Sequence, residues 1–257
     1  MDKAIEQAFE TTTKVVLGKA LSGKLEDYES WLLAHQRPAK KHQSAVSEQM
    51  VYDPPLVFYA PVSKRAVKQA EALEIGKCSL AKEEALRLTL DNAAQMLEPM
   101  RHHTSDAITG ENVEVEECSL YINCSYSFRC CSFVNSKYCA YSFWPRDSEY
   151  LFGVDTVFSS KFCLKCYNSV NLTRCLEVSH SSNCSDCYFC HNCDSLADCM
   201  FCTNAKSLRY AIFNHEVGKE KYLEIKKRVL EEMTKKLERD KHLELSIFNI
   251  AEGRSKR

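Results

Sequence analysis

The strongest pattern in this chain is a period of three residues. From Cys118 to Ala211, every third residue is apolar, Cys or Ser, and none of these 32 positions is charged. Thirteen of the 32 are Cys and seven are Ser. A row that excludes charge and favours small, soft side chains predicts an interior line. A strand alternates with a period of two, so the pattern also predicts corners every few residues.

Asparagine follows the same period, one position earlier. All seven Asn of the 118–213 window directly precede an interior position: Asn123, Asn135, Asn168, Asn171, Asn183, Asn192 and Asn204. Asn tolerates left-handed backbone angles, and its amide can bond to a copy above or below it. We therefore expect these residues at the corners of a coil that turns repeatedly.

A longer period lies on top of the first. Five Cys are spaced nine apart, namely Cys166, Cys175, Cys184, Cys193 and Cys202, and blocks of eighteen residues align from Ser159 to Ile212. The sequence therefore predicts an α+β fold built on a Cys-rich parallel β-solenoid. We expect about eighteen residues per coil and roughly five coils in residues 118–213, since such repeats bury a core only by stacking.

The flanking regions have helical patterns. Residues 1–117 form a mainly helical N-terminal region, with helices expected over 1–22, 25–36, 63–75 and 80–97. Leu86, Leu90, Ala93 and Leu97 make one apolar stripe on the last of these helices. Residues 214–257 contain an amphipathic helix over 218–243, which we expect to cap an open end or side of the solenoid. A short strand over 243–250 and a disordered basic tail over 253–257 complete this prediction.

Charge and hydropathy limit the classes of protein. The net charge is −1, with −5 in residues 1–117, +1 in 118–213 and +3 in 214–257. This balance argues against a general nucleic-acid or membrane-surface field. No apolar run approaches the roughly 20 residues that span a bilayer, and the N-terminus lacks a secretory h-region. We expect a cytoplasmic or virion protein, with no membrane partner and many free thiols.

The C-terminal half has a resemblance. The repeats, followed by FCTNAKSLRYAIFN and a Gly-Lys-Glu-Lys-Tyr helix, resemble poorly characterised Cys-rich repeat proteins of archaea, candidate-phylum bacteria and tailed viruses. The similarity covers about residues 118–250. It implies a β-solenoid-like fold and carries no activity with it.

Zinc binding is one interpretation of the cysteines. Four pairs have the C-x-x-C spacing of zinc ligands: Cys163 and Cys166, Cys184 and Cys187, Cys190 and Cys193, and Cys199 and Cys202. A period-three interior row generates this spacing by itself, however, and the window holds only one Gly, whereas zinc knuckles favour Gly beside the thiolates. Stacked reduced thiols without a cofactor are the preferred interpretation, with zinc or disulfides as alternatives.

Two groups of side chains are candidates for a partner surface. Aromatic residues of the outer phases include Tyr138, Tyr141, Trp144 and Tyr150, which could dock a partner or pack against the N-terminal helices. Lys226, Lys227 and Arg228 are the basic candidates on the C-terminal helix.

These features favour one function and leave a rival. We expect a non-enzymatic structural or assembly protein that presents a rigid solenoid to protein partners, or to copies of itself, including within a large or viral assembly. The alternative is a zinc-binding module that contacts nucleic acid through the basic C-terminal helix.

Overall fold

A computed structural model describes residues 3–250, so the predicted tail over 253–257 lies outside the described residues. The helical elements are α1 (Lys3–Leu17), a 3₁₀ helix (Leu25–Tyr28), α2 (Glu29–Leu33), a 3₁₀ helix (Val57–Arg65), α3 (Gln69–Ile75), α4 (Lys82–Ala85), α5 (Ala93–Leu97), a 3₁₀ helix (Glu98–Met100) and α6 (Lys219–Asp240). None of the helices within residues 3–250 combines the length and the apolarity that crossing a membrane requires.

The strands are short, and almost all of them are parallel. They are β1 (Lys40–Gln43), β2 (Met50–Asp53), β3 (Ile108–Thr109), β4 (Val113–Glu116), β5 (Ser119–Ile122), β6 (Ser125–Phe128), β7 (Cys131–Val134), β8 (Lys137–Ala140), β9 (Glu149–Phe152), β10 (Asp155–Phe158), β11 (Lys161–Leu164), β12 (Tyr167–Val170), β13 (Thr173–Ser179), β14 (Ser185–His191), β15 (Ala197–Met200), β16 (Arg209–Ile212) and β17 (His215–Glu216). Only the β1–β2 and β16–β17 pairs within residues 3–250 are antiparallel. The predicted parallel β-solenoid is confirmed.

One coil takes 12 residues, so the prediction of eighteen is wrong. Lys161 on β11 pairs with Thr173 on β13, and Thr173 pairs with Ser185 on β14. About nine turns are stacked, rather than five. A spacing of nine residues is three quarters of a coil, and it carries a contact of its own. The thiol of Cys190, for example, lies 3.8 Å from the carbonyl oxygen of Cys199.

A left-handed residue at every third position makes the coil four-sided. Positive φ recurs from Glu114 to Phe213 at this spacing, with Gly153 filling one of the positions. Left-handed backbone costs an ordinary residue about 1–2 kcal/mol. Hydrogen bonds between coils offset that cost, because the left-handed residue donates its N–H to the coil before it, and the residue that precedes it donates to the coil after it. Lys165 N–H donates to Phe152 C=O at 2.9 Å, and Thr173 N–H donates to Cys184 C=O at 3.0 Å.

The asparagine corners are confirmed. Asn123 donates its side-chain amide to Asn135 one coil later at 3.3 Å, and Asn135 donates to Asp147 at 2.9 Å. Asn192 and Asn204 make the same contact at 2.7 Å. These ladders bond stacked corners from outside, as the left-handed angles and amide chemistry of Asn predict.

Serine and cysteine fill the interior because they bond to the backbone. Ser160 Oγ donates to Phe158 C=O at 2.7 Å and accepts from Leu172 N–H, one coil later, at 2.9 Å. Cys118 Sγ accepts from Cys130 N–H in the same way, at 3.1 Å. These interior N–H groups would otherwise be buried without a partner. Small size alone therefore does not explain the composition of the interior.

Two of the four sides are covered by helices. Interior lines Ser127–Ala211 and Cys118–Cys202 run behind the covered sides, and their outer apolar residues join one cluster with α1, α2 and α6. Phe9 of α1 stacks edge-on against Phe152 at 5.2 Å. The N-terminal helices thus bury part of the aromatic patch. Interior lines Tyr121–Ala205 and Cys124–Leu208 run behind the two open sides.

Helix α6 begins at the last coil and runs back along the covered flank. Tyr222, Leu230, Met233 and Leu237 are its buried apolar residues. Lys19 near the end of α1 bonds to Glu238 at 3.0 Å, which joins the two helices. The helix shields a side of the stack, while β17 pairs with β16 at the final coil.

Two predicted elements of the flanking regions are absent from the described residues 3–250. Residues 243–250 form a turn rather than a strand, because Asn249 bonds to Ser246 N–H and to Glu244 C=O. The predicted helix over 80–97 is broken into α4 and α5. Asn92 causes the break, since its side chain accepts from Thr89 N–H at 2.8 Å and donates to Arg87 C=O at 2.8 Å. The predicted helix over 63–75 begins only at Gln69.

Candidate partner-binding surface

An apolar groove lies on the first coils of one open side. Its volume is about 450 Å³. The residues that line it are Leu56, Ala107, Thr109, Leu120, Ile122, Ser132, Val134, Trp144 and Arg146. Below we call this feature the Trp144 groove.

The 12-residue period builds this groove. Leu120, Ser132 and Trp144 stack in one outer line, and Ile122, Val134 and Arg146 stack in the next. Both lines flank the interior residues that begin with Tyr121. Leu56, just before the 3₁₀ helix Val57–Arg65, closes one edge. Apart from Leu56 and Ala107, which lie in connecting segments, the lining side chains are therefore fixed by the pairing of stacked coils.

Trp144 and Arg146 supply the groove with its chemistry. The indole of Trp144 is 38% exposed. The guanidinium carbon of Arg146 lies 5.7 Å from the indole centroid, which is cation–π distance. An apolar floor with one aromatic ring and one cation suits an extended or helical protein segment that carries an apolar side chain beside an acidic group.

The four aromatic candidates for a partner surface lie in three different environments. Tyr138 and Tyr150 are half-buried in a stack that runs from Tyr126 to Phe162, with centroids 4.6 to 5.2 Å apart. Tyr141 is buried beside Glu29, so it cannot contact a partner while α2 is in place. Trp144 lies on an open side, away from the other three. The four residues do not form one surface.

The three basic candidates are also divided. Lys226 turns toward the solenoid, with its ammonium 3.7 Å from Asp186 and 3.9 Å from Asp198, and its side chain is only 17% exposed. Lys227 and Arg228 are exposed. Helix α6 carries eight basic and six acidic residues, so its outer face is mixed rather than strongly basic.

The eight candidate metal ligands all lie in the interior. Cys184, Cys187, Cys190 and Cys193 occupy the four consecutive inward positions of one coil. Cys163 and Cys166 lie in an earlier coil, and Cys199 and Cys202 lie in the next one. Within residues 3–250, no group of three or more His, Cys, Asp or Glu is arranged to hold a metal ion.

The thiols of these residues lie within hydrogen-bond distance of backbone carbonyl groups. Cys187 Sγ lies 3.3 Å from Ser185 C=O and 3.7 Å from Leu196 C=O. Burial raises the pKa of Cys139 well above that of a free thiol. Hydrogen bonds from Cys190 and then Cys199 lower the pKa of Cys202.

A buried ion pair underlies one covered side. Lys165 and Glu177 occupy the same outer line, one coil apart. Lys165 Nζ donates to Trp31 C=O of α2 at 2.7 Å, and Glu177 accepts from Ile247 N–H at 2.9 Å. Burial lowers the pKa of Lys165 and raises the pKa of Glu177 to about 7. The pair thus joins α2 and the segment around Ile247 to the solenoid, and no pattern in the sequence indicated it.

Comparison with known proteins adds no relative. No protein-family model, curated protein or solved structure matches the chain. The resemblance to Cys-rich repeat proteins therefore stays a prediction, and the function has to be argued from the geometry.

Proposed function

We propose that this chain is a non-enzymatic structural or assembly protein that presents a rigid surface to a protein partner. The Trp144 groove is the surface that carries the proposal. It is apolar, it lies on an open side, and strand pairing fixes its residues. An exposed apolar groove of this kind is typical of an interaction site.

Rigidity supports the same role. Backbone hydrogen bonds join each coil to the coils before and after it on all four sides, and the interior is filled with side chains that bond to the backbone. Such a frame holds surface residues in place with little ordering cost when a partner binds. The partner would be a protein segment, within a large or viral assembly or in the cell interior.

The experiment is a comparison of captured partners. The full chain, under reducing conditions, would be used to capture proteins from its native source, alongside Trp144→Asp and Ile122→Lys. Lys137→Ala, on the other open side, is the matched control. We expect one partner that the wild type and the control retain and that both groove variants lose. A partner set unchanged by the groove variants would contradict the proposal, as would no retained partner.

Metal analysis distinguishes the proposed structural role from the rival function. A zinc module that contacts nucleic acid would contain stoichiometric zinc and unfold when a chelator removes it. Stacked thiols predict substoichiometric zinc and a fold that survives chelation. Nucleic-acid affinity that falls steeply with salt, and weakens in Lys227→Ala and Arg228→Ala, would favour the rival.

A further inference from the structure

Residues 73–100 form a segment that the rest of the chain leaves uncovered. We call it the leucine arm. None of the residues of α3, α4, α5 and the 3₁₀ helix Glu98–Met100 is buried. The exposed leucines of the arm are Leu73, Leu86, Leu88, Leu90 and Leu97, which range from 51% to 97% exposed. Scattered surface leucines are ordinary, but five in one segment are not.

The base of the arm is anchored, so the exposure is local. Glu71 accepts hydrogen bonds from Ser44 and Ser47, and Lys68 forms an ion pair with Asp106 at 3.1 Å. Backbone bonds join Val67 to His103 at 2.9 Å. The arm therefore projects from a fixed root.

The spacing of the arm's apolar residues is that of a helix seam. Leu86, Leu90, Ala93 and Leu97 are separated by four, three and four residues. Repeats that average 3.5 residues place apolar side chains along the line where two helices meet. The arm does not form that helix in the single chain, because Asn92 and Thr89 hold a turn between α4 and α5. The apolar pattern and the local hydrogen bonds thus favour different conformations.

We propose that the leucine arm pairs with the arm of a second copy of this chain, and that residues 80–97 become one continuous helix when it does. A symmetric antiparallel pair would set Leu86 against Leu97 of the other copy, and Leu90 against Ala93. Lys82, Glu83 and Glu84 of one copy would then lie near Glu98 and Arg101 of the other, a mixed set of charges that does not oppose this register.

The exposed seam is large enough for a weak dimer. Its three leucines, Leu86, Leu90 and Leu97, are 77%, 97% and 51% exposed, and together they present roughly 400 Å² of apolar surface, within the range of the largest patch on a typical monomer. A standard interface buries about 800 Å² per partner, so the seam supplies about half of that area, as expected for a dimer that forms at high concentration. A membrane surface is a poorer occupant, because the arm carries three basic and five acidic residues.

This inference deepens the proposed assembly role and rests on it. Its surface, however, is distinct from the Trp144 groove. A partner set that the groove variants leave unchanged would contradict the groove proposal but would leave arm pairing measurable by sedimentation. A strictly monomeric protein would contradict arm pairing but would leave partner capture by the groove measurable. The two failures are therefore distinguishable.

The test measures self-association and helix content together. Sedimentation and circular dichroism of the full chain would be recorded over a wide concentration range in reducing buffer. We expect a dimer at high concentration, with helix content rising as it forms. Leu90→Glu should weaken the dimer at least tenfold, because it places a charge in the seam. Leu223→Glu, at a 45% exposed leucine of α6, is the matched control and should leave it unchanged.

A third variant should strengthen the dimer rather than weaken it. Asn92→Ala removes the bonds that hold the turn, so it should raise helix content and tighten the dimer. A wild type that stays monomeric at every concentration would overturn the proposal, as would a dimer that Leu90→Glu does not weaken. Helix gain on lipid vesicles without dimerisation would reassign the arm to a membrane surface.

Discussion

The ammonium of Lys165 lies 3.5 Å from the carboxylate of Glu177, and both side chains are shut off from solvent. Neither residue belongs to the solenoid interior. They lie on a covered side, where Trp31 and the segment around Ile247 close over them. Two buried charges therefore hold the N-terminal helices and the C-terminal turn against the same coils.

Replacement of Glu177 by Gln should change how stability depends on pH. The folded pKa of Glu177 is about 7, above the ordinary carboxyl value, so its contribution to stability falls as pH rises from about 4.5 to 7. In the variant, Lys165 keeps its bond to Trp31 C=O but loses its charged partner, and the depressed pKa of this buried ammonium makes stability rise with pH. The wild-type minus variant difference in unfolding free energy should drop by about 3 kcal/mol over this range.

Urea unfolding at pH 5 and pH 7.5 measures that difference. Glu149→Gln is the control, and its difference should stay nearly flat over this range. Partial burial raises the pKa of Glu149, but Lys161 and Lys137 together lower it below the ordinary value, so its stabilising contribution is already present at pH 5 and is lost only at lower pH. A Glu177→Gln difference that stays flat or grows with pH would show that the pair does not titrate as the burial implies.

Replacement of Gly153 by Ala should loosen α2. Gly153 has a φ of +66°, and a Cβ there would lie 2.7 Å from the carbonyl oxygen of Leu32. We expect a loss of about 2–4 kcal/mol, from the left-handed backbone and from the clash. Gly18→Ala has a similar φ of +80° and open space around it, so it should cost only the backbone part. Equal losses in thermal unfolding for the two variants would show that α2 does not press on Gly153.

The solenoid and its corners were predictable from the sequence because charge is excluded from one position in three. The coil length was not. Cys residues nine apart contact each other around a corner, as Cys190 and Cys199 do, and this mimics a repeat of eighteen. Which outer residues a helix covers was predicted only in part. Tyr141 and Trp144 share one outer phase of the three-residue period and Phe152 lies in the other, yet Tyr141 and Phe152 are buried while Trp144 is exposed. Which outer line a helix covers depends on tertiary packing that the period does not encode.

Substitution of Cys184 tests the interior lines. Cys184→Asp should destabilise by several kcal/mol, because it buries a charge without a partner. Cys184→Ala should cost less, near that of a small cavity. Cys184→Ser should cost least, since Ser136, Ser148 and Ser160 occupy the same interior line and bond to the backbone there. Denaturant unfolding ranks the three variants, and equal small effects would place Cys184 at the surface.

Truncation after Asn214 should make the protein aggregate. Removal of α6 uncovers Tyr210, which packs against Tyr222, and Tyr188, over which Lys226 lies. Burial of each such side chain contributes about 1.5–3 kcal/mol. The truncation also frees the edge of β16 by removing β17. A chain that ends at Ile250 keeps the helix and is the control. Light scattering measures the aggregation of the two proteins. A truncated chain that stays monomeric and equally stable would show that α6 does not cover the solenoid.

Because one coil takes 12 residues, insertions can lengthen the solenoid without disturbing its sides only in steps of 12 residues. One added coil would extend the stack by about 4.8 Å and return every later side chain to the side it already occupies. Three added residues would keep the interior positions inward but rotate everything after them by a quarter turn, which would carry Phe189 and Phe201 away from the side they now share with Lys165 and Glu177. Chains that keep the same residues on each side of the solenoid can therefore differ in length only by whole coils.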